Sequence, residues 1–490
     1  MRRFAWLPRL SGFLIAAVVS ACAVGPDFQP PPPPGVGGYL PGRGPEVAVA
    51  GQKLVAGADI PARWWELFHS RHLNELVTQG IIHNAELQAA EAAVRVAQAN
   101  ALVQRGALFP LVTADFNSSR QKTPTESLQS NAANNAATFS LHTAQVTVSY
   151  VVDVFGGTRR QIESADALAE AQAFQREAVY LTLAANIATA AIQEASFRGQ
   201  LAATRRLIGI QTRLLDILRR QYDLGQIALI DVTAQETAVA QARLLLAPLE
   251  KQLAQQRDLL AFLTGRFPAD DLAATFQIRS FRLPRAVPLS LPADMVRQRP
   301  DIRLAEANLH SASAQIGVAI ANRLPKITLT ANAGSTASAL SKLFTPGTGF
   351  WMVAGDVAQT VFDAGTLYNK QRAAEETLNQ STAQYRSTVL VAFQNVADVL
   401  RALQADARAV SAAIAAERSA SRNIELVSKQ VEQGQVSLPV LLTAQQAYLQ
   451  TSLALVQAQA ARLADTVALF QALGGGWWNR PPPFAATVLQ

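Results

Sequence analysis

Between Thr158 and Leu224 the chain runs without a proline, and Ala, Leu, Gln, Arg and Glu, all good helix formers, dominate it. Its only glycines are Gly199 and Gly209. The pattern predicts one helix of about 100 Å at 1.5 Å per residue, far beyond ordinary globular length. It closes on Gln221-Tyr222-Asp223-Leu224-Gly225, where Gly225 suits a left-handed cap, and helix resumes near Asp231. The same events return 209 residues later at Lys429-Gln430-Val431-Glu432-Gln433-Gly434, then Leu438 and Thr443-Ala444-Gln445. Apolar positions occupy two sides of the first arm. Leu181, Ala188 and Ala195 form one seven-spaced row, and Ala184, Ala191 and Arg198 another. A helix in a two-stranded coil needs one stripe, whereas a helix in a closed ring touches two neighbours and needs two. The double row favours a tube.

Ahead of each long helix the period drops to two. Val112, Ala114 and Phe116 alternate with Thr113, Asp115 and Asn117, and Ala144, Val146, Val148, Tyr150 and Val152 alternate with Gln145, Thr147, Ser149 and Asp153. The polar stretch from Ser118 to Ala137 reads as an exposed loop between them. In the second half Ile327, Leu329, Ala331 and Ala333 alternate with Thr328, Thr330 and Asn332, and Trp351 to Val361 follows. Glu91 matches Glu306 and Pro110 matches Pro325, both at an offset of 215, so one unit occurs twice. The chain divides into a signal segment (1–21), an extended N-terminal tether (22–61), repeat 1 (62–266), a proline-rich linker (267–299), repeat 2 (300–473) and a tail (474–490). Repeat 1 holds strands at about 111–118 and 143–155, a long helix 158–224 and a return helix 231–264. Repeat 2 holds strands at about 326–335 and 350–362, a long helix 365–433 and a return helix 439–473. Gly474 to Gly476 reads as a flexible exit.

Strands with one apolar and one polar face suit a membrane barrel whose lumen is wet. Four strands cannot close a barrel, and an open edge in lipid is forbidden. Three copies would supply twelve strands, an even number that leaves a lumen. Tyr150 and Trp351 would suit an interfacial girdle, with simple packing the commoner role for either residue. The expected fold is therefore mainly α with a membrane β part, built from two repeats of strand hairpin plus long helical hairpin.

Composition adds restraint. Aromatic content is only 7% and alanine abounds, which fits helices packed backbone-close rather than a bulky core. The formal charge of +7 includes Arg2, Arg3 and Arg9 of the signal segment, and the other basic residues scatter among acids. They read as solvated helix faces, not a nucleic-acid stripe. The single cysteine, Cys22, excludes a disulfide framework. It closes Val19-Ser20-Ala21-Cys22 behind an apolar run too short to span a membrane. That arrangement resembles a lipoprotein processing site, with Cys22 acylated at the mature N-terminus. Ala23 in the next position favours outer-membrane sorting. The five prolines Pro30 to Pro34 follow as a polyproline tether.

These pieces, with Trp64-Trp65-Glu66-Leu67, Arg299-Pro300-Asp301-Ile302-Arg303, Phe362-Asp363-Ala364-Gly365 and the terminal Leu473-Gly474-Gly475-Gly476-Trp477, resemble the outer-membrane efflux ducts of Gram-negative bacteria. The nearest likeness is the lipoprotein, NodT-like branch of the TolC family, over residues 22 to 478. The resemblance implies a homotrimer with a twelve-stranded outer-membrane β-barrel on a twelve-helix periplasmic α-barrel. It further implies a periplasmic adaptor, an inner-membrane pump commonly of the RND type, and passive export of small toxic compounds. A duct for secreted proteins is the alternative within transport, and a non-conducting coiled-coil lipoprotein the alternative outside it. By the same likeness Asp223, Gly225, Leu229 and Asp231 of the first turn, with Val431, Gly434, Val436, Leu438 and Thr443 of the second, form the periplasmic aperture and adaptor-docking tip. The second turn lacks a carboxylate until Asp465, so it is expected to give an apolar constriction. Asp231 would form an acidic ring or N-cap the returning helix. No cofactor is expected beyond the lipid on Cys22. His69, His72, His83, His142 and His310 lack ligand spacing, and no phosphate-binding loop occurs, so no enzyme site is read.

Overall fold

The computed structural model describes residues 23–41, 48–49, 52–122, 138–270 and 272–480. Cys22 and the signal segment lie outside them, as do 123–137 of the expected loop. In chain order come β1 (Ala48–Val49), β2 (Gln52–Ala56), a 3-10 turn at Trp64–Phe68, α1 (Arg71–His83) and α2 (Ala85–Gly106). Strands β3 (Leu111–Lys122) and β4 (Thr138–Val152) lead into α3 (Gly157–Asp223), α4 (Leu229–Leu244) and α5 (Leu246–Leu263). After β5 (Ala286–Leu289) and α6 (Pro292–Gln298) the order repeats as α7 (Pro300–Ala321), β6 (Lys326–Ala337), β7 (Gly349–Ala358), α8 (Thr366–Glu432) and α9 (Leu438–Ala472). The chain forms two compact units. Among the described residues, one draws on 23–31, 94–172 and 305–385, the other on 32–93, 173–304 and 386–480.

The first unit holds an antiparallel sheet in the order β3-β4-β6-β7. Its strands run further than the alternation suggested, because a backbone ladder needs no apolar side chains. Ser118 pairs with His142, Oγ to Nδ1 at 2.9 Å, and the ladder reaches Lys122 opposite Thr138. The first residues of the expected loop are therefore strand.

The second unit is held by an aromatic and aliphatic core. Trp64 stacks on Phe470 with ring centroids 5.3 Å apart, and Ile60, Phe68, Leu73, Val77, Ile187, Leu260, Phe276 and Leu289 join them. Each fully buried side chain of this size contributes about 1.5–3 kcal/mol. Ala184, Ala188, Ala191 and Ala195 lie in the same core. Both rows on the first arm are thus covered within one chain, and the double stripe does not by itself require neighbouring subunits.

Four further segments depart from the sequence reading. The tether supplies β2, the middle strand of a sheet ordered β1-β2-β5, antiparallel to β1 and parallel to β5. No proline falls between Pro45 and Pro61, so the N–H groups a ladder needs are present. The linker is folded: it carries β5 and α6, and buries Phe276, Phe281, Val287, Leu289, Met295 and Val296. Its Pro288 sits on an edge strand, where a missing donor is tolerated. The return helix is two helices, broken at Leu245. Pro248 explains the break, since it cannot donate to the carbonyl of Leu244 and its ring crowds that group. The glycines after α9 are not a flexible exit. Trp477 Nε1 donates to Gln298 O at 2.6 Å, Trp478 Nε1 to Asp59 Oδ1 at 2.9 Å, and Asn479 Nδ2 to Asp59 Oδ2 at 2.8 Å.

Candidate functional site

The register of the four-stranded sheet sorts its chemistry by face. Val112, Val148, Ala331 and Val353 face one another in adjacent strands, as do Ala114, Val146, Ala333 and Trp351, and Tyr150 lies opposite Leu329. Directly paired residues share a face, so one surface is apolar across all four strands. The other carries Thr113, Thr147 and Asn332 in one row and Asp115 and Gln145 in the next. Val112, Phe116, Val146, Leu329, Trp351, Val353 and Val357 are all exposed. That is far more contiguous apolar surface than a water-facing sheet carries. Strands β3 and β7 each have a single neighbour, leaving two open edges that lipid does not tolerate.

The helical turns are built twice to one plan. Gly225 has φ +71° and Gly434 φ +70°. Gly225 N–H donates to Tyr222 O at 2.8 Å and Gln226 N–H to Gln221 O at 2.8 Å; Gly434 N–H donates to Val431 O at 3.0 Å and Gln435 N–H to Gln430 O at 2.8 Å. Both are Schellman caps, which satisfy helix-end carbonyls and favour glycine because φ is positive. The next helices begin at Leu229 and Leu438, four residues past each glycine, with Ala228 and Ser437 as N-caps that make no side-chain cap bond.

Behind the turns lies a second core, in which Leu207, Leu214, Leu218, Val232, Ile424, Val431, Leu438, Leu441 and Tyr448 are buried. A polar seam crosses it. Gln211 Nε2 donates to Gln445 Oε1 and Gln235 Nε2 donates to Gln211 O, both at 3.0 Å, and all three side chains are buried. One glutamine of α3 thereby holds both returning helices.

Residues 76–266 and 291–475 match the outer membrane efflux protein family. The chain belongs to that family. This efflux protein is 29% identical over 472 residues to the probable efflux pump outer membrane protein TtgC of Pseudomonas putida, covering 96% of each chain. It is 29% identical over 423 residues to the pyoverdine export outer membrane protein OpmQ of the same species, covering 86% of this chain and 89% of that one. Among solved structures, the outer-membrane channel OprN superposes with a TM-score of 0.84 at 24% identity, over 93% of this chain and all of that one. The open-state MtrE channel of Neisseria gonorrhoeae gives 0.79 at 25%, over 93% and 99%. Efflux at the outer membrane of a Gram-negative bacterium, expected from the sequence, agrees with this membership.

The tip residues of the efflux protein separate into two groups. Asp223 ends α3 and is exposed, Leu229 opens α4 exposed, and Thr443 is exposed with its hydroxyl donating to Pro439 O at 3.0 Å. Val431 and Leu438 are buried in the tip core, and Val436 packs partly against it. The second turn therefore does not present Val431 or Leu438 as an apolar constriction; they hold the two hairpins together. Asp231 is not the N-cap either. Helix begins two residues before it, its N–H donates to Ala228 O at 3.1 Å, and its carboxylate lies in the first turn. There the helix dipole favours a negative charge. Leu224 and Ile230, 71% and 73% exposed, are prominent tip residues that periodicity alone hid. The glutamine seam was readable in principle: Thr233-Ala234-Gln235 and Thr443-Ala444-Gln445 repeat a polar residue where a core position is due. Asp465 pairs with Asp406 of α8, away from the turn, and burial followed by the Asp465 carboxyl pushes Asp406 up to about 7. Among the described residues no cluster of His, Cys, Asp and Glu could hold a metal ion, and no helix is long and apolar enough to cross a membrane.

Proposed function

We propose that three copies of this chain close a twelve-stranded barrel in the outer membrane and a twelve-helix tunnel in the periplasm, forming the passive exit duct of a tripartite efflux system. The observation that carries this reading is the sheet: one exposed face is apolar across four strands, and both edges are open. Only closure with further strands makes such a sheet stable in lipid. Cys22 is acylated and anchors the mature chain. The tip surface formed by Asp223, Gly225, Leu229, Asp231, Gly434 and Thr443, with exposed Leu224 and Ile230, receives a periplasmic adaptor that links the duct to an inner-membrane pump of the RND type. Cargo is small toxic organic compounds, in keeping with relatives named for antibiotic and toluene efflux.

Purified protein added to a planar lipid bilayer should open pores with discrete conductance steps. Asp231→Ala should alter conductance or cation preference if three Asp231 carboxylates ring the aperture. A protein that binds the bilayer but never conducts would favour a structural lipoprotein and overturn the duct.

A further inference from the structure

The first described residues of the chain are not a loose tether. Val24 N–H donates to Phe155 O at 3.0 Å. Arg160, in the first turn of α3 and with a side chain only 7% exposed, donates through Nε to Val24 O at 3.1 Å. Its Nη2 reaches Gly25 O at 3.3 Å and Asp27 Oδ1 at 2.6 Å, and its Nη1 reaches Glu163 Oε2 at 2.8 Å. The other oxygen of Glu163 lies 2.9 Å from Nε2 of His310 on α7. The His310 ring in turn stacks on Phe28, centroids 4.3 Å apart and planes inclined by 13°. One connected set of side chains therefore grips the segment at its carbonyls, its carboxylate and its aromatic ring.

The backbones also fit because side chains are missing on both sides. A Cβ on Gly25 (φ +97°) would stand 2.5 Å from Gly317 Cα, and one on Gly317 would stand 2.7 Å from Val24 O. Gly317 lies inside α7, where glycine costs about 1 kcal/mol relative to alanine. The internal repeat acts as a control. At the offset of 215, Leu102 and Arg95 stand in place of Gly317 and His310; at the offset of 208 that aligns Thr158 with Thr366, Tyr368 and Gln371 stand in place of Arg160 and Glu163. The duplicated skeleton folds without this chemistry, so the skeleton does not require it.

We propose that Arg160, Glu163, His310 and Gly317 form a receptor for the chain's own segment Ala23–Phe28. Its docking holds the membrane anchor at the helix-side end of the four-stranded sheet. The inference rests on the acylation of Cys22 and the trimeric barrel proposed above. Its physical sense is effective concentration: a docked segment makes the meeting of the apolar sheet face with the anchored lipid surface intramolecular. A free polyproline tether would let the sheet wander from the membrane by several nanometres. The receptor thus serves insertion and assembly, not conduction.

Gly25→Val tests this from the ligand side, since it alters the segment and leaves every residue of the sheet and helices unchanged; Gly317→Val tests it from the receptor side. Both should speed hydrogen exchange at the Val24 amide by about tenfold or more. Both should lower the yield of SDS-resistant trimers in the outer membrane severalfold, with Cys22 acylated as in the wild type by mass spectrometry. Unchanged exchange at Val24 in Gly25→Val overturns the receptor. Faster exchange with wild-type trimer yield overturns its role in assembly. An unmodified Cys22 in the wild-type protein overturns the anchor itself, and mass spectrometry separates that failure from the other two.

Discussion

Val353→Arg puts the membrane reading of the sheet to its sharpest test. Val353 is the fifth of ten residues in β7, lies opposite Ala331 on the apolar face, and is 72% exposed. Ten strand residues extend about 33 Å, and a tilt of roughly 40° brings this to about 25 Å, the height of a barrel's apolar band. Val353 would then lie near the bilayer midplane, where an outward arginine costs about 2–4 kcal/mol per subunit. That is a roughly 30- to 700-fold shift in the insertion equilibrium. Ala354 is its control: the next residue along, opposite Thr330 and on the polar face. Ala354→Arg would meet a wet lumen and should be tolerated within about 0.5 kcal/mol. The assay is refolding from urea into phosphatidylcholine vesicles, read as the fraction of heat-modifiable trimer against denaturant. If Val353→Arg refolds as well as Ala354→Arg, the apolar face is not a lipid face and the barrel is refuted.

Three further outcomes follow from the described geometry. Gly225→Ala and Gly434→Ala should each cost about 1–2 kcal/mol and lower the melting temperature equally, because nothing lies within 4 Å of the added Cβ at either turn; unequal losses would show that one turn is held by packing. Pro248→Ala should restore the bond to the Leu244 carbonyl and join α4 to α5, so that the residue 248 amide exchanges slowly with solvent; fast exchange would place the cause of the break elsewhere. Asp406 has its pKa raised from 3.8 to about 7 by burial and by Asp465, so it binds its proton more tightly folded than unfolded. Its contribution to stability is full below about pH 4 and is lost as pH rises through about 7. Asp406→Asn should flatten the melting temperature between those values, and superimposable profiles would refute the assignment.

Long periodic segments were the most legible part of this chain. Thr158 to Leu224 announces a helix because it holds no proline and strong helix formers outweigh its two glycines, and the period-two stretches mark strand faces because one-residue slips would mix polar and apolar sides. Proline density, by contrast, misled twice. It concealed β2 and β5, which need only a few free N–H groups apiece, and it drew attention from Pro248, a single ring that breaks a helix. The receptor for Ala23–Phe28 was illegible for a different reason. Arg160, Glu163, His310 and Gly317 come from two helices 150 residues apart, and no local pattern links them. Tip burial was hidden likewise, since a valine at a turn reads the same whether it faces solvent or the opposite hairpin.

The duplication constrains the skeleton, and the departures from it are where the roles reside. Both turns share a Gly-Gln-x-x-Leu frame, Gly225 to Leu229 and Gly434 to Leu438, with the same cap bonds. Past that frame they diverge. The first bears Asp231 and exposed Ile230 on a helix interrupted at Leu245, while the second bears Pro439 on a helix unbroken for 35 residues. In the proposed trimer six turns therefore alternate between an interrupted arm with Asp231 in its first turn and a continuous one with no charged residue before Arg462. A partner that met all six would find two kinds of site and not one. The buried Gln211, bonded to Gln445 in one return helix and to Gln235 in the other, ties these two unlike arms to one point of α3, beside the apolar core they share.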